Sequence, residues 1–159
     1  MESATDTTTT TFVRELTIEA RPETVWEFLV DPEKAKRWMG IEATFSTEPG
    51  GLYQVTPVPG HTAMGEFVEL DRPRRLVFTW GWEPGEDGAP ATVPPGSSTI
   101  EIDLEPEGEG TRLRFAHAGL PTEEEIAKHS HGWDHYLSRL VEVAGGGDPG
   151  RDPWLDGAM

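Results

Sequence analysis

The chain has 159 residues, with 13 lysines and arginines against 29 aspartates and glutamates, and no cysteine. That length suits one domain with a real core, and the net charge of −16 disfavours nucleic acid or an anionic membrane as partner, because phosphate binding relies on clustered Lys and Arg. Missing thiols exclude disulfides, zinc thiolates and cysteine nucleophiles, and the absence of a long apolar run or a signal peptide leads to the expectation of a cytoplasmic protein without membrane insertion.

The polar, Thr-rich residues 1–11 are expected to be a disordered tail. From Phe12 to Ala20, residues Phe12, Leu16, Ile18 and Ala20 share one side of a half-buried strand, with Arg14 as the charged exception on that side. Pro22 then suits the first turn of a helix and Glu23 favours the positive end of its dipole; Val25, Trp26, Phe28 and Leu29 form the buried stripe. Asp31-Pro32 ends that helix and starts another, read as Glu33 to Met39 and closed by Gly40.

Beyond Gly40 the pattern changes to period two. Strands are expected at Ile41–Phe45, Leu52–Pro57 and His61–Leu70, separated by Pro49-Gly50-Gly51 and followed by the turn Asp71-Arg72-Pro73. The segment Arg75 to Glu83 puts Leu76, Phe78, Trp80 and Trp82 on one face, with Gly81 leaving room between two indoles. Pro and Gly crowd residues 83–98, which predicts a long exposed hairpin loop. Thr99–Glu105 and Thr111–His117 complete an antiparallel meander, the second bringing Leu113, Phe115 and His117 inward.

Thr122 followed by Glu125 has the spacing of a capping box, and a long helix follows. Its stripe runs Ile126, His129, Trp133, Tyr136, Leu137, Leu140, Val141 and Ala144. Gly132 interrupts this helix at a cost of about 1 kcal/mol relative to alanine, which points to a close backbone approach or to room beside Trp133. Gly145-Gly146-Gly147 stops the helix. In the tail 148–159, Trp154 and Leu155 are the residues able to dock, on a partner or on the sheet edge.

The order strand, two helices, a run of strands and a long C-terminal helix defines an α+β fold. Val25-Trp26, Asp31-Pro32, Arg37-Trp38, Gly65-Glu66-Phe67, Pro73 to Trp80, Thr111 to His117 and Gly132-Trp133 with Leu137 occur in the order seen in the START-like, polyketide-cyclase-related superfamily (SRPBCC). Within it the chain most resembles the AHSA-type branch, named for activators of a heat-shock chaperone ATPase. The resemblance spans residues 12–144. It implies a single helix-grip domain over 12–147: a curved antiparallel sheet of about six to seven strands wrapped around the C-terminal helix, with two short helices after strand 1. Members of the superfamily bind lipids, hormones or polyketides under that helix, and some catalyse cyclisation or hydrolysis.

By strand parity and helix spacing, the candidate ligand-binding residues are Trp38, Met39, Phe45, Met64, Phe78, Trp80, Trp82, Phe115, Trp133 and Leu137, with polar handles from Tyr53, His117, His129 and Tyr136. Aromatic and methionine side chains suit an adaptable apolar site. Each could equally fill an ordinary core. His131 and His135 share a helical face at metal-ligand spacing, but no further cluster completes a shell, so no metal is expected. No cofactor is expected either, since no phosphate loop precedes a helix. His117 could serve as a general acid or base, whereas Ser97 and Ser98 have no base in view along the sequence.

Three functions compete. The preferred one is binding of a small hydrophobic or aromatic molecule. The alternative is a cavity enzyme, a cyclase, dehydratase or hydrolase using His117, Tyr136 or a helix histidine. The branch name implies the third, a cochaperone that activates an ATPase in the stress response. An exposed sheet edge or the Trp154 tail offers a route to a homodimer.

Overall fold

A computed structural model describes residues 11–84 and 91–157. The N-terminal tail therefore lies outside the described residues, except Thr11. Seven strands form one antiparallel sheet in the order β1-β7-β6-β5-β4-β3-β2. They are β1 (Phe12–Ile18), β2 (Glu42–Phe45), β3 (Leu52–Val58), β4 (His61–Asp71), β5 (Arg75–Trp80), β6 (Ser98–Glu107) and β7 (Gly110–Ala118). Helices α1 (Pro22–Val30) and α2 (Pro32–Ala35) link β1 to β2, and α3 (Glu123–Ala144) follows β7. The molecule has the α+β helix-grip architecture expected.

Local chemistry accounts for the helix boundaries. Pro22 opens α1, where its missing N–H is harmless. The Asp31 carboxylate caps α2 by accepting from the N–H groups of Glu33 and Lys34 at 2.9 and 3.4 Å. Regular helix then ends at Ala35, short of the expected Met39, and the chain turns so that the Trp38 indole donates to Phe28 O at 2.9 Å. At α3, Thr122 Oγ1 accepts from Glu125 N–H at 3.1 Å.

The concave face of the sheet grips α3 through a chain of rings. Tyr53 stacks on Phe45 at 4.9 Å and on Phe78 at 4.0 Å; Trp80 meets Trp82 at 5.4 Å and Trp133 at 5.0 Å; Phe115 lies 4.7 Å from Trp133. Such pairs add about 0.5–1.5 kcal/mol each beyond area burial. Arg14, the charged residue on the apolar side of β1, reaches Asp134 on α3 at 2.6 Å. Outside, Arg75 spans three strands by bonding Glu69, Glu101 and Asp103.

The stretch after β5 is a hairpin connection to β6, exposed as expected at Glu83, Pro84, Thr92 and Pro94 to Ser97, but it is anchored to the sheet at Val93. Regular pairing ends at Trp80, and Trp82 makes an isolated bridge to Ala63. The returning chain then comes back to the sheet: Trp82 N–H donates to Val93 O at 2.7 Å, and Val93 is only 2 % exposed. Gly81 is needed for this return, since a Cβ there would lie 1.7 Å from Pro94 O. Its place in the fold is set by backbone approach and not by room between indoles. Part of this loop, residues 85–90, lies outside the described residues.

Gly81→Ala is expected to destabilise the protein by about 1–3 kcal/mol, because backbone must move to admit the methyl group. Chemical denaturation would register this as a lower midpoint with an unchanged slope.

Candidate functional site

At one end of β5 the ring chain stops short of filling the space below α3. A cavity of about 520 Å³ remains there. Its wall combines Trp80 and Trp82 from the sheet with Trp133, Tyr136 and His129 from α3, and Met39 from the segment after α2. These are the sequence candidates that reach it. The others pack elsewhere: Tyr53, Phe78, Phe115 and Leu137 are buried in the continuous core, and Phe45 packs at its margin. Trp38 is held by Phe28 O, and strand alternation puts Met64 on the face opposite the buried Ala63 and Phe67. His117 sits in the core at 0 % exposure, behind the indole wall.

Several wall residues carried no site signal in the sequence. Ala91, Thr92 and Val93 arrive from the returning loop, Pro57 and Val58 from the end of β3, and Glu125 and Lys128 from the first turns of α3. Gly132 also borders the cavity, and a Cβ on it would meet nothing within 4 Å. Of the two roles open to this glycine, space beside Trp133 is the one realised.

The C-terminal tail supplies a further wall. It docks on α3, neither on the sheet edge nor free: Arg139 donates to Gly150 O at 2.8 Å, and His135 Nε2 bonds Asp152 Oδ1 at 2.8 Å. A short 3₁₀ turn, Pro153–Asp156, is capped by Asp152, whose Oδ1 accepts from Trp154 N–H at 2.9 Å. Trp154 stacks on His135 at 3.7 Å and lies 5.4 Å from His131, and it borders the cavity. The two histidines at metal-ligand spacing thus share one indole. Among the described residues no group of His, Asp and Glu converges as a metal site.

Hydrogen bonds set the orientation of the indole wall. Trp133 Nε1–H donates to His117 Nδ1 at 3.1 Å, and Ser98 Oγ–H donates to Trp80 O at 2.8 Å. Since that hydroxyl has spent its proton, the 2.9 Å contact between Ser98 Oγ and His117 Nε2 requires the Nε2–H tautomer of histidine. Trp82 Nε1–H donates likewise to His129 Nε2 at 3.0 Å, leaving His129 Nδ1–H for Glu125 O at 2.8 Å. Ser98 therefore does meet a histidine, a pairing invisible along the chain. It is no nucleophile–base pair, because the histidine has no free lone pair to accept the serine proton. Trp80 Nε1–H, by contrast, is buried without a partner.

Both histidines are held neutral. Burial pushes His117 down to about 3, with the neighbouring His129 adding to the effect; burial also lowers His129. Tyr136 is pushed above its ordinary value, mainly by burial and then by Asp152. The cavity is thus bordered by indoles, a neutral imidazole and a protonated phenol, with Glu83, Glu125 and Lys128 also at its wall.

A larger surface hollow of about 820 Å³ lies at the opposite end of β5, among Arg21, Pro73, Arg74 and Glu109, but no aromatic side chain lines it. The indole-walled cavity is therefore the better candidate site.

Fold and cavity together define a START-like protein of the helix-grip type. The sequence pattern of the family described as Activator of Hsp90 ATPase homolog 1-like protein matches residues 19–145, and the chain belongs to that family. An AHSA1-like protein from Rhizobium etli, solved by solution NMR, is 47% identical over 91% of this chain and 87% of its own, with a TM-score of 0.70. The crystal structure of CalU16 from Micromonospora echinospora is 27% identical, covering 86% of this chain and 76% of that one at a TM-score of 0.67. The Aha1 dimer from Colwellia psychrerythraea, at 17% identity, covers 86% of this chain and 98% of its own with a TM-score of 0.72, and shows likeness of fold alone. No curated protein matches the chain. The docked tail with Trp154 lies beyond the matched residues.

His117 links the site to pH. Its value of about 3 in the fold lies below the 6.5 of an unperturbed histidine, so between those limits the unfolded chain binds the extra proton. Its contribution to stability is complete above the unfolded value and is lost as pH falls from there towards 3. The slope reaches at most about 1.4 kcal/mol per pH unit. His117→Gln is expected to lower stability at pH 7 by about 1–3 kcal/mol, through the orphaned Trp133 and Ser98 groups. It should also flatten the pH dependence relative to the parent chain, as denaturant midpoints measured from pH 7 to 4 would reveal.

Proposed function

We propose that the protein binds a small hydrophobic, predominantly aromatic molecule in the cavity between the sheet and α3. The observation that carries this reading is the hollow of about 520 Å³ walled by Trp80, Trp82 and Trp133, within the size range of small-molecule sites. Filling such a volume with apolar side chains would have stabilised the fold, by about 25 cal/mol per Å² of apolar surface removed from water. Gly132 supports the same reading. It sits in a helix interior where alanine would fit without contact and would be about 1 kcal/mol more favourable, yet it leaves the cavity open.

Histidine-based catalysis is disfavoured because both nitrogens of His117 and both of His129 are engaged by protein groups. A general base needs a free lone pair directed at substrate. What these residues supply is orientation of the Trp133 and Trp82 indoles.

Titration with the neutral probe N-phenyl-1-naphthylamine tests the reading. Uptake should brighten the probe and change tryptophan emission with saturation. Gly132→Leu is the discriminating variant: its side chain enters the cavity while the helix loses its glycine. Probe affinity is expected to fall at least tenfold while the thermal midpoint holds or rises. Undiminished probe binding in that variant, or none in the parent chain, would refute this assignment.

A further inference from the structure

We infer that the cavity selects a flat aromatic ligand carrying a cationic, hydrogen-bond-donating nitrogen, with the Glu125 carboxylate as its counter-ion. This rests on the cavity-binding reading above and names the ligand class.

Glu125 is the anomaly on the wall. Its side chain is only 12% exposed, yet among the described residues no donor lies within hydrogen-bond distance of its carboxylate: Lys128 Nζ is 3.9 Å away and His129 Nδ1 3.6 Å away. The His129 proton is directed at Glu125 O at 2.8 Å and not at the carboxylate. In a complete capping box this carboxylate would turn back to the Thr122 N–H. Here only half of the box forms, through Thr122 Oγ1 and Glu125 N–H, and Glu125 is among the residues that border the cavity. The contacts to Lys128 and His129 are too long for hydrogen bonds, so a donor arriving from the cavity would complete the carboxylate's bonding.

The surroundings favour a cation as that donor. Indole faces attract positive charge through their quadrupole, and Trp80, Trp82, Trp133 and Trp154 all border the same space. Glu83 adds a second carboxylate at the wall. The neutral state of His129 removes the positive charge that would oppose a cation. Lys128 is the one fixed cation bordering the cavity among the described residues; its side chain is 63% exposed, and it also lies 3.7 Å from Glu124, so it can turn outward. An anionic ligand would meet Glu83 and Glu125 inside a chain of net charge −16.

Calorimetric titration of the full chain at pH 7 with three matched compounds tests the inference: 2-naphthylmethylamine, 2-naphthylmethanol and 2-naphthoate. The amine should bind roughly tenfold tighter than the alcohol, as a charge-assisted hydrogen bond provides, and the carboxylate weakest. Glu125→Gln should bring the amine within about twofold of the alcohol, whereas Lys128→Ala, an exposed position that leaves the fold intact, should tighten the amine by freeing its counter-ion. If Glu125→Gln does not fold, Lys128→Ala decides: tighter amine binding supports the inference and unchanged binding refutes it. Equal affinities for the three compounds, or preference for the carboxylate, overturn it. When N-phenyl-1-naphthylamine still binds under that outcome, only the ligand class fails; when it does not, the cavity reading fails as well.

Discussion

The architecture turns on one contact, the Trp133 indole held between Phe115 and Trp80 with its N–H fixed by His117. It joins the long helix to two strands of the sheet and fixes where packing stops. A buried indole usually finds a partner for its N–H, and Trp133 has one where Trp80 does not. His117 provides it only as a neutral ring, and Ser98 with Trp80 O fixes which ring nitrogen carries the proton. Burial keeps the ring neutral, so the packing and the hydrogen bonds support each other.

The same arrangement explains why a hollow survives beside a dense core. Rings on the helix-facing side of the sheet run unbroken from Phe45 to Trp80, and on the other side Phe115 closes against Trp133. Past Trp80 the strand stops, Gly81 lets the loop return, and α3 carries a glycine where a side chain would have filled the gap. The walls are then completed by pieces that are remote in sequence, the loop at Val93 and the tail at Trp154. Polar side chains, Glu83, Glu125 and Lys128 among them, border the space alongside the indoles.

Much of the fold was legible along the chain, since period-two and helical stripes report which side of an element is buried. Phe78, Trp80, Phe115, Trp133 and Leu137 all face inward as that logic requires. Periodicity could not separate wall from core, because Phe78 and Trp80 share a face yet lie at different depths relative to α3. Met64 failed for another reason: on β4 the buried register follows Ala63 and Phe67, so methionine's hydrophobicity did not decide its side. The Pro- and Gly-rich composition of 83–98 signalled an exposed connection, which Glu83, Pro84, Thr92 and Pro94 to Ser97 are, but it could not show that Val93 would return to the sheet.

The amino-acid sequence by itself determined the α+β order of elements, the family, the inward faces and the absence of thiol chemistry, all of which follow from local patterns of polarity and residue type. Only the tertiary structure decided that Ser98 meets His117, that Trp154 folds back on His135, and that Glu125, placed to cap its own helix, also borders the cavity. Those relations join residues far apart in the chain or choose between local alternatives, and they exist only once the curved sheet has closed around α3.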